Sequence, residues 1–276
     1  MKGRYDAKKA QHKAYVRRRN AKYQGMKVVH HVTLHGVVDG LLYDDQSPEA
    51  IAGWLEERQE KLPTVSKDSI RRYIKSPYGR KVEYHRSKRN HRRHRVGRKA
   101  IFWRNRRLIT QRPKAANARQ RVGDAEFDCI VSGKSGYGIL LVVVDRRLRA
   151  SFVEKILKPS AAAVTRACLR IKKRYPEWRT GTCDNDILLQ HHELLEKKLS
   201  IKIYFCHTYS AWEKGSVENT NKYIRRDIPK GSNISKYSIY FIHKLEAKLN
   251  RRILQCLKYL TPAEALAAHR KRKKRR

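Results

Sequence analysis

Apolar residues run almost without interruption over 137–145 (YGILLVVVD), which predicts a strand buried on both faces. Residues 125–132 (AEFDCIVS) read as a strand before it, with 133–136 as the hairpin turn between them. Further strands are predicted over 148–153, 178–184 and 201–206. Helical spacing covers 160–175, 187–199, 212–226, 235–251 and 262–271. A three-strand meander followed by helix, strand, helix, strand and helix predicts an α/β fold, a mixed sheet with flanking helices.

The pattern changes ahead of this region. Ser47-Pro48-Glu49 supplies a capping residue, a proline at the first helical position and an acid in the first turn. Ile51, Trp54 and Leu55 follow at helical spacing, and Leu62-Pro63-Thr64 interrupts them. Ser66 starts a second helix with Ile70, Tyr73 and Ile74 on its apolar face and Lys67, Ser69, Arg71, Arg72 and Lys75 on its open face. Two short helices with a basic second member fit helix-turn-helix DNA binding, with a plain helical hairpin as the alternative. The expected organisation is a basic arm over 1–46, a helix-turn-helix segment over 47–76, a basic linker over 77–119, the α/β domain over 120–270 and a disordered basic tail over 271–276.

Charge narrows the function. Sixty-six Lys and Arg against 25 Asp and Glu leave a net charge of +41. Such a chain repels itself and calls for a polyanionic partner, nucleic acid before an anionic membrane. The 40% hydrophobic content still allows a real core. No apolar run is long enough for a membrane span, and no apolar segment follows the basic N-terminus as in a secretory signal. The five cysteines are widely spaced and form no CxxC pair, so they read as reduced thiols of a cytosolic protein. Between Arg80 and Arg107 stand thirteen Lys or Arg residues and one acid. Arg89, Arg92, Arg93 and Arg95 lie in the middle of that ribbon and are candidates for following DNA phosphates. His91 and His94 lack the cysteines or acids that would complete a metal site.

Three acids carry the candidate chemistry. Asp128 lies inside the first predicted strand of the sheet, Asp184 closes the fourth, and Glu218 sits on the helix after the fifth. An acid within an apolar strand costs stability unless paired or bound to metal, and strand ends of an α/β sheet are where ligand groups gather. Hard oxygen ligands select Mg²⁺ or Mn²⁺, and two such ions suit phosphoryl transfer. Singly, each acid has a plainer reading: Asp128 shares its alternation with Asp124 and Glu126, and Asp184-Asn185-Asp186 suits a strand-to-helix turn. Glu218, Asn221, Lys222 and Arg225 share one helical face, which adds polar and basic groups beside the third acid.

The segments VGDAEFDCIVSG, TCDNDILLQHHE and YSAWEKGSVENTNKYIRRDIPKG resemble the catalytic core of bacterial insertion-sequence transposases of the DDE class, and within it the insertion-sequence-thirty family. SPEAIAGWL followed by VSKDSIRRYI looks like that family's internal helix-turn-helix, and the resemblance extends from Ser47 to Pro262. It implies a ribonuclease-H-like mixed sheet with flanking helices, preceded by a small helical region. It also implies that Asp128, Asp184 and Glu218 bind two Mg²⁺ or Mn²⁺ ions, with Arg225 as a DNA contact. Lys222 is expected to hold DNA phosphates beside it, and Asn221 to support the Glu218 helix or the DNA. Water would cleave one strand at an element end, and the freed 3′-hydroxyl would attack another strand. The expected partner is double-stranded DNA, element ends and target, bound by a homo-oligomer in the cytoplasm and on the nucleoid, with no membrane involved. The sequence departs from the family in having Ala125 where Trp is usual and Asp186 where Gly follows Asp-Asn. The family's additional N-terminal helix-turn-helix is expected to be absent. These departures leave one alternative: a truncated, inactive remnant that only binds DNA.

Overall fold

A computed structural model describes residues 6–19, 26–87, 106–133, 136–185, 187–189, 191–207 and 210–275. The chain divides into two compact units, residues 1–92 with 253–260, and residues 93–252 with 261–276. Among the described residues, no helix is long and apolar enough to cross a membrane.

The first unit is helical: α1 (Ala7–Arg19), α2 (Met26–Val29), α3 (Val32–Tyr43), α4 (Pro48–Arg58), α5 (Lys67–Lys75) and α6 (Arg80–Ser87). Ser47 and Ser66 cap α4 and α5, each accepting the amide of the residue three positions on. Val28, Leu34, Val38 and Leu42 join Ile51, Leu55, Ile70, Tyr73 and Val82 in one core. Residues 26–46 are therefore not an arm. The apolar positions Leu34, Val38 and Leu42 recur every fourth residue, and the stripe they form is buried. Val82 likewise ties the start of the expected linker into this core.

The second unit opens with α7 (Lys114–Asn117) and is built on β1 (Asp124–Val131), β2 (Ile139–Asp145), β3 (Ser151–Ile156), β4 (Thr180–Cys183) and β5 (Lys202–Phe205). Its helices are α8 (Ala161–Arg174), α9 (His192–Leu199), α10 (Gly215–Asp227), α11 (Ile239–Asn250) and α12 (Pro262–Lys274). The sheet order is β3-β2-β1-β4-β5. β1, β2 and β3 pair antiparallel, whereas β4 runs parallel to both β1 and β5. This is the mixed five-stranded sheet with flanking helices expected of a ribonuclease-H-like domain.

All seven residues of β2 are buried, so both faces of the sheet are covered. Leu140, Val142 and Val144 pack with Val217 and Ile224 of α10 and with Ile242, Leu245 and Leu249 of α11. The helix α8 packs on β2 and β3 and buries Val164, Ala167, Cys168 and Ile171. Gly181 of β4 lies against the Phe127 ring, where an added Cβ would come within 2.5 Å of a ring carbon.

Three boundaries differ from the sequence reading. The third strand begins at Ser151, because the Asp145 carboxylate accepts the Arg147 and Leu148 amides and commits 146–150 to a turn. Residues 187–189 form a 3-10 turn separate from α9. The basic end of the chain is not a disordered tail from 271 onward, since α12 continues to Lys274 from a Thr261–Glu264 capping box.

Candidate active site

Strand alternation puts Asp124, Glu126 and Asp128 of β1 on one face. Asp124 and Glu126 are fully buried, whereas 31% of the Asp128 side chain remains exposed. Each buried acid has fixed partners. Asp124 accepts from Arg121 at 2.7 and 3.1 Å and from the Thr180 hydroxyl at 2.7 Å. Glu126 pairs with the buried Arg146 through Oε1, while its Oε2 accepts the amides of Ser216 and Val217 at 2.7 and 3.0 Å. Those amides open α10, so a carboxylate sits at the positive end of that helix.

Asp184 follows β4 directly. Glu126 pairs with Thr182 across the parallel β1–β4 ladder, and the same register two residues on sets Asp128 level with Asp184. Lys214, in the 3-10 turn that leads into α10, lies between the two acids. Its Nζ is 3.2 Å from Asp128 Oδ1 and 2.8 Å from Asp184 Oδ2, and its side chain is 2% exposed. Burial works against the ammonium, but the charges of Asp128 and Asp184 outweigh it and raise the Lys214 pKa. Burial pushes the Asp128 carboxyl above the usual carboxylate range; Lys214 pulls it down and Asp184 pushes it further up.

Asn221 Nδ2 donates to Asp128 Oδ2 at 2.8 Å, and its own Oδ1 is buried without a hydrogen-bond partner. Two carboxylates sharing one cation beside an orphaned oxygen acceptor fit a hydrated divalent ion in donor chemistry. Glu218 lies one helical turn before Asn221 on α10. Among the described residues, however, no group of three or more His, Cys, Asp and Glu side chains is gathered to hold a metal. The structure thus joins Asp128 and Asp184 through Lys214 and leaves Glu218 outside that cluster.

No family model matches the chain. The transposase for insertion sequence element IS4351 of Bacteroides fragilis is 34% identical over 268 residues, 95% of this chain and 80% of that protein. The chain belongs to the insertion-sequence transposases. The transposase InsI of insertion sequence element IS30A of Escherichia coli K12 is 29% identical over 237 residues, 80% of this chain and 61% of its own length. The resemblance to the insertion-sequence-thirty family is therefore borne out. Among solved structures, the catalytic core domain of BIV integrase aligns with a TM-score of 0.40 at 18% identity, over 55% of this chain and 98% of its own. The HTLV-2 integrase catalytic core domain in complex with magnesium aligns with a TM-score of 0.39 at 19% identity, over 50% of this chain and 92% of its own. A transposase acts on DNA, and this one is an enzyme of polynucleotidyl-transferase type.

The other candidate residues of the transposase fall into three groups. Asn221 is turned toward Asp128, and Arg225 donates to the carbonyls of Pro229 and Val131 at 3.3 and 3.4 Å. Burial lowers the Arg225 pKa, with Asp128 opposing. Lys222 is exposed on α10, and Lys67, Arg71 and Arg72 are exposed on α5. Arg71 already bridges Asp68 of its own helix and Glu49 of α4. Arg89, Arg92, Arg93 and Arg95 lie outside the described residues, as does Asp186.

Sequence reasoning missed Lys214, Glu126 and Arg146. A lysine in a polar stretch reads as solvated, and nothing local marks this one as buried. Glu126 had a signal, its shared alternation with Asp128, which is equally consistent with a solvent-facing edge. The strand cysteine Cys183 is buried, and Cys206, just past β5, is pushed up to about 12 by burial, which suits inert core thiols.

Proposed function

We propose that this transposase cuts and joins DNA by divalent-metal-dependent phosphoryl transfer, with Asp128 and Asp184 as the central ligands and Glu218 as the third. The observation that carries this reading is one cation shared by two acids from adjacent strands, 2.8 and 3.2 Å from their oxygens. Two ions, Mg²⁺ or Mn²⁺, would activate the attacking oxygen and stabilise the leaving oxygen. The chain's own contribution is positional. Glu126 fixes the first turn of α10 to β1, and Asn221 holds Asp128 from the same helix, so Glu218 rides on an element anchored at both points. In the first step water forms a new bond to phosphorus and the 3′-oxygen leaves as a hydroxyl. In the second that hydroxyl attacks a target phosphodiester and displaces its 3′-oxygen. No covalent link between protein and DNA is formed.

DNA would be held by Lys67, Arg71 and Arg72 on α5, by Lys222 and Arg225 on α10, and by Arg89, Arg92, Arg93 and Arg95. Action as a homo-oligomer on DNA in the bacterial cytoplasm completes the reading. The test is nicking of supercoiled plasmid carrying element ends, with Mg²⁺, beside Asp184→Asn. The variant is expected to bind DNA with near-parent affinity and to lose cleavage by about 10²–10³-fold or more, the scale of removing one preorganised group that stabilises charge in a transition state. Equal cleavage by the two proteins would refute the acid triad, and DNA binding with no cleavage by the parent would leave only the inactive, DNA-binding alternative.

A further inference from the structure

The Lys214 ammonium lies in the space between the Asp128 and Asp184 carboxylates, where an ion chelated by both would sit. Magnesium binds carboxylate oxygens at about 2.0–2.1 Å and demands near-octahedral surroundings. An ammonium touching the same two oxygens at 3.2 and 2.8 Å leaves no room for it. The lysine is 2% exposed, so its charge is set against these acids rather than against water. Without it, two carboxylates would face each other across a small gap and repel. The residue is placed for this job by the chain on either side. Glu213 binds the His207 amide and ring at 2.9 and 2.7 Å, and Ser216 is held by Glu126.

We infer that Lys214 is a resident counter-cation of the acid pair: it keeps Asp128 and Asp184 assembled in the metal-free enzyme, and it competes with the divalent ion, leaving when that ion enters. The inference rests on the metal-site reading above. It makes metal affinity a difference between two cations competing for one place, so loading is weaker than the acids alone would give and the metal-free protein is more stable.

The test is titration of the 276-residue protein with Mn²⁺, without DNA, followed by isothermal calorimetry, with the melting temperature recorded in parallel. Lys214→Met removes the charge and keeps the length. Lys214→Gln serves the same purpose should the first variant fail to fold. Each is expected to bind Mn²⁺ about tenfold or more tightly than the parent, as loss of a like charge a few ångströms away requires. Each is also expected to melt lower than the parent without metal and to recover on adding it. Mn²⁺ affinity within twofold of the parent, or an unchanged metal-free melting temperature, overturns the role of Lys214. In that case a parent that binds Mn²⁺ while Asp184→Asn does not keeps the metal reading intact. Failure of the parent itself to bind Mn²⁺ overturns both.

Discussion

The Glu126 carboxylate accepts the Ser216 amide at 2.7 Å, so the strand that carries Asp128 also holds the first turn of the helix that carries Glu218. The same carboxylate pairs with Arg146, and both side chains are buried. Removing one partner of a buried pair strands the other charge and costs about 3–5 kcal/mol. Glu126→Ala is therefore expected to lose that much unfolding free energy in urea at neutral pH. Glu126→Gln, which can still accept the helix amides, should lose less. A Glu126→Ala protein as stable as the parent would show that the α10 terminus is held by packing alone.

The frame of this domain was legible in the sequence because its main signals are local. The apolar run of β2 can only be a strand covered on both sides, and Thr261-Pro262-x-Glu264 can hardly be read except as a helix start. What failed depends on side chains reaching across the fold. Leu148 extends the apolar pattern and looks like strand, but the Asp145 carboxylate has claimed its amide for a turn. Leu34, Val38 and Leu42 lie on a helix without Lys or Arg, but the basic stretch ahead of it set the reading for all of 1–46, so a core helix read as an arm. At the site, Asp128 stood out as an acid within a strand and Asp184 as the acid that closes one. The lysine between them belongs to a stretch whose burial only the assembled β1–β4–α10 corner decides.

Acid sensitivity has a specific source at α12. Burial is the largest single influence and would raise the Glu177 pKa, but the hydrogen bonds from Arg270, at 2.9 and 3.0 Å, a backbone hydrogen bond and the charges of Arg270 and His269 together outweigh it and hold the carboxylate below its ordinary value. A depressed acid contributes stability above its unfolded pKa, about 4.3, and that contribution is lost as pH falls through the folded value. Unfolding measured from pH 6 down to pH 3 should therefore fall more steeply for the parent than for Glu177→Gln. Because other carboxylates titrate in the same window, the difference between the two slopes is the reading. Identical slopes would mean that the Arg270 pair contributes nothing to folding.

The basic face of α5 divides into two kinds of cation. Arg71 donates to Asp68 at 3.0 Å and pairs with Glu49, so to meet a DNA phosphate it must first give up two acids. Both pairs are half-exposed and screened, the class of surface ion pair that adds little stability. Lys67 and Arg72 are exposed on the same helix, where Ser66 caps the N-terminus and Tyr73 anchors the opposite face in the core. If α5 faces DNA, neutralising Lys67 and Arg72 together removes two phosphate contacts. Each contact contributes about 0.9 to the slope of log affinity against log salt. The double variant is therefore expected to flatten that slope by about 1.8 on duplex DNA and to weaken binding most at low salt. Arg71→Ala should change the slope less, because part of that charge is already spent on Asp68 and Glu49. Fluorescence anisotropy across a salt series, with duplex DNA and with single-stranded RNA of matched length, separates the outcomes. A double variant with the parent's slope would remove α5 from the DNA interface and leave α4–α5 as a structural hairpin.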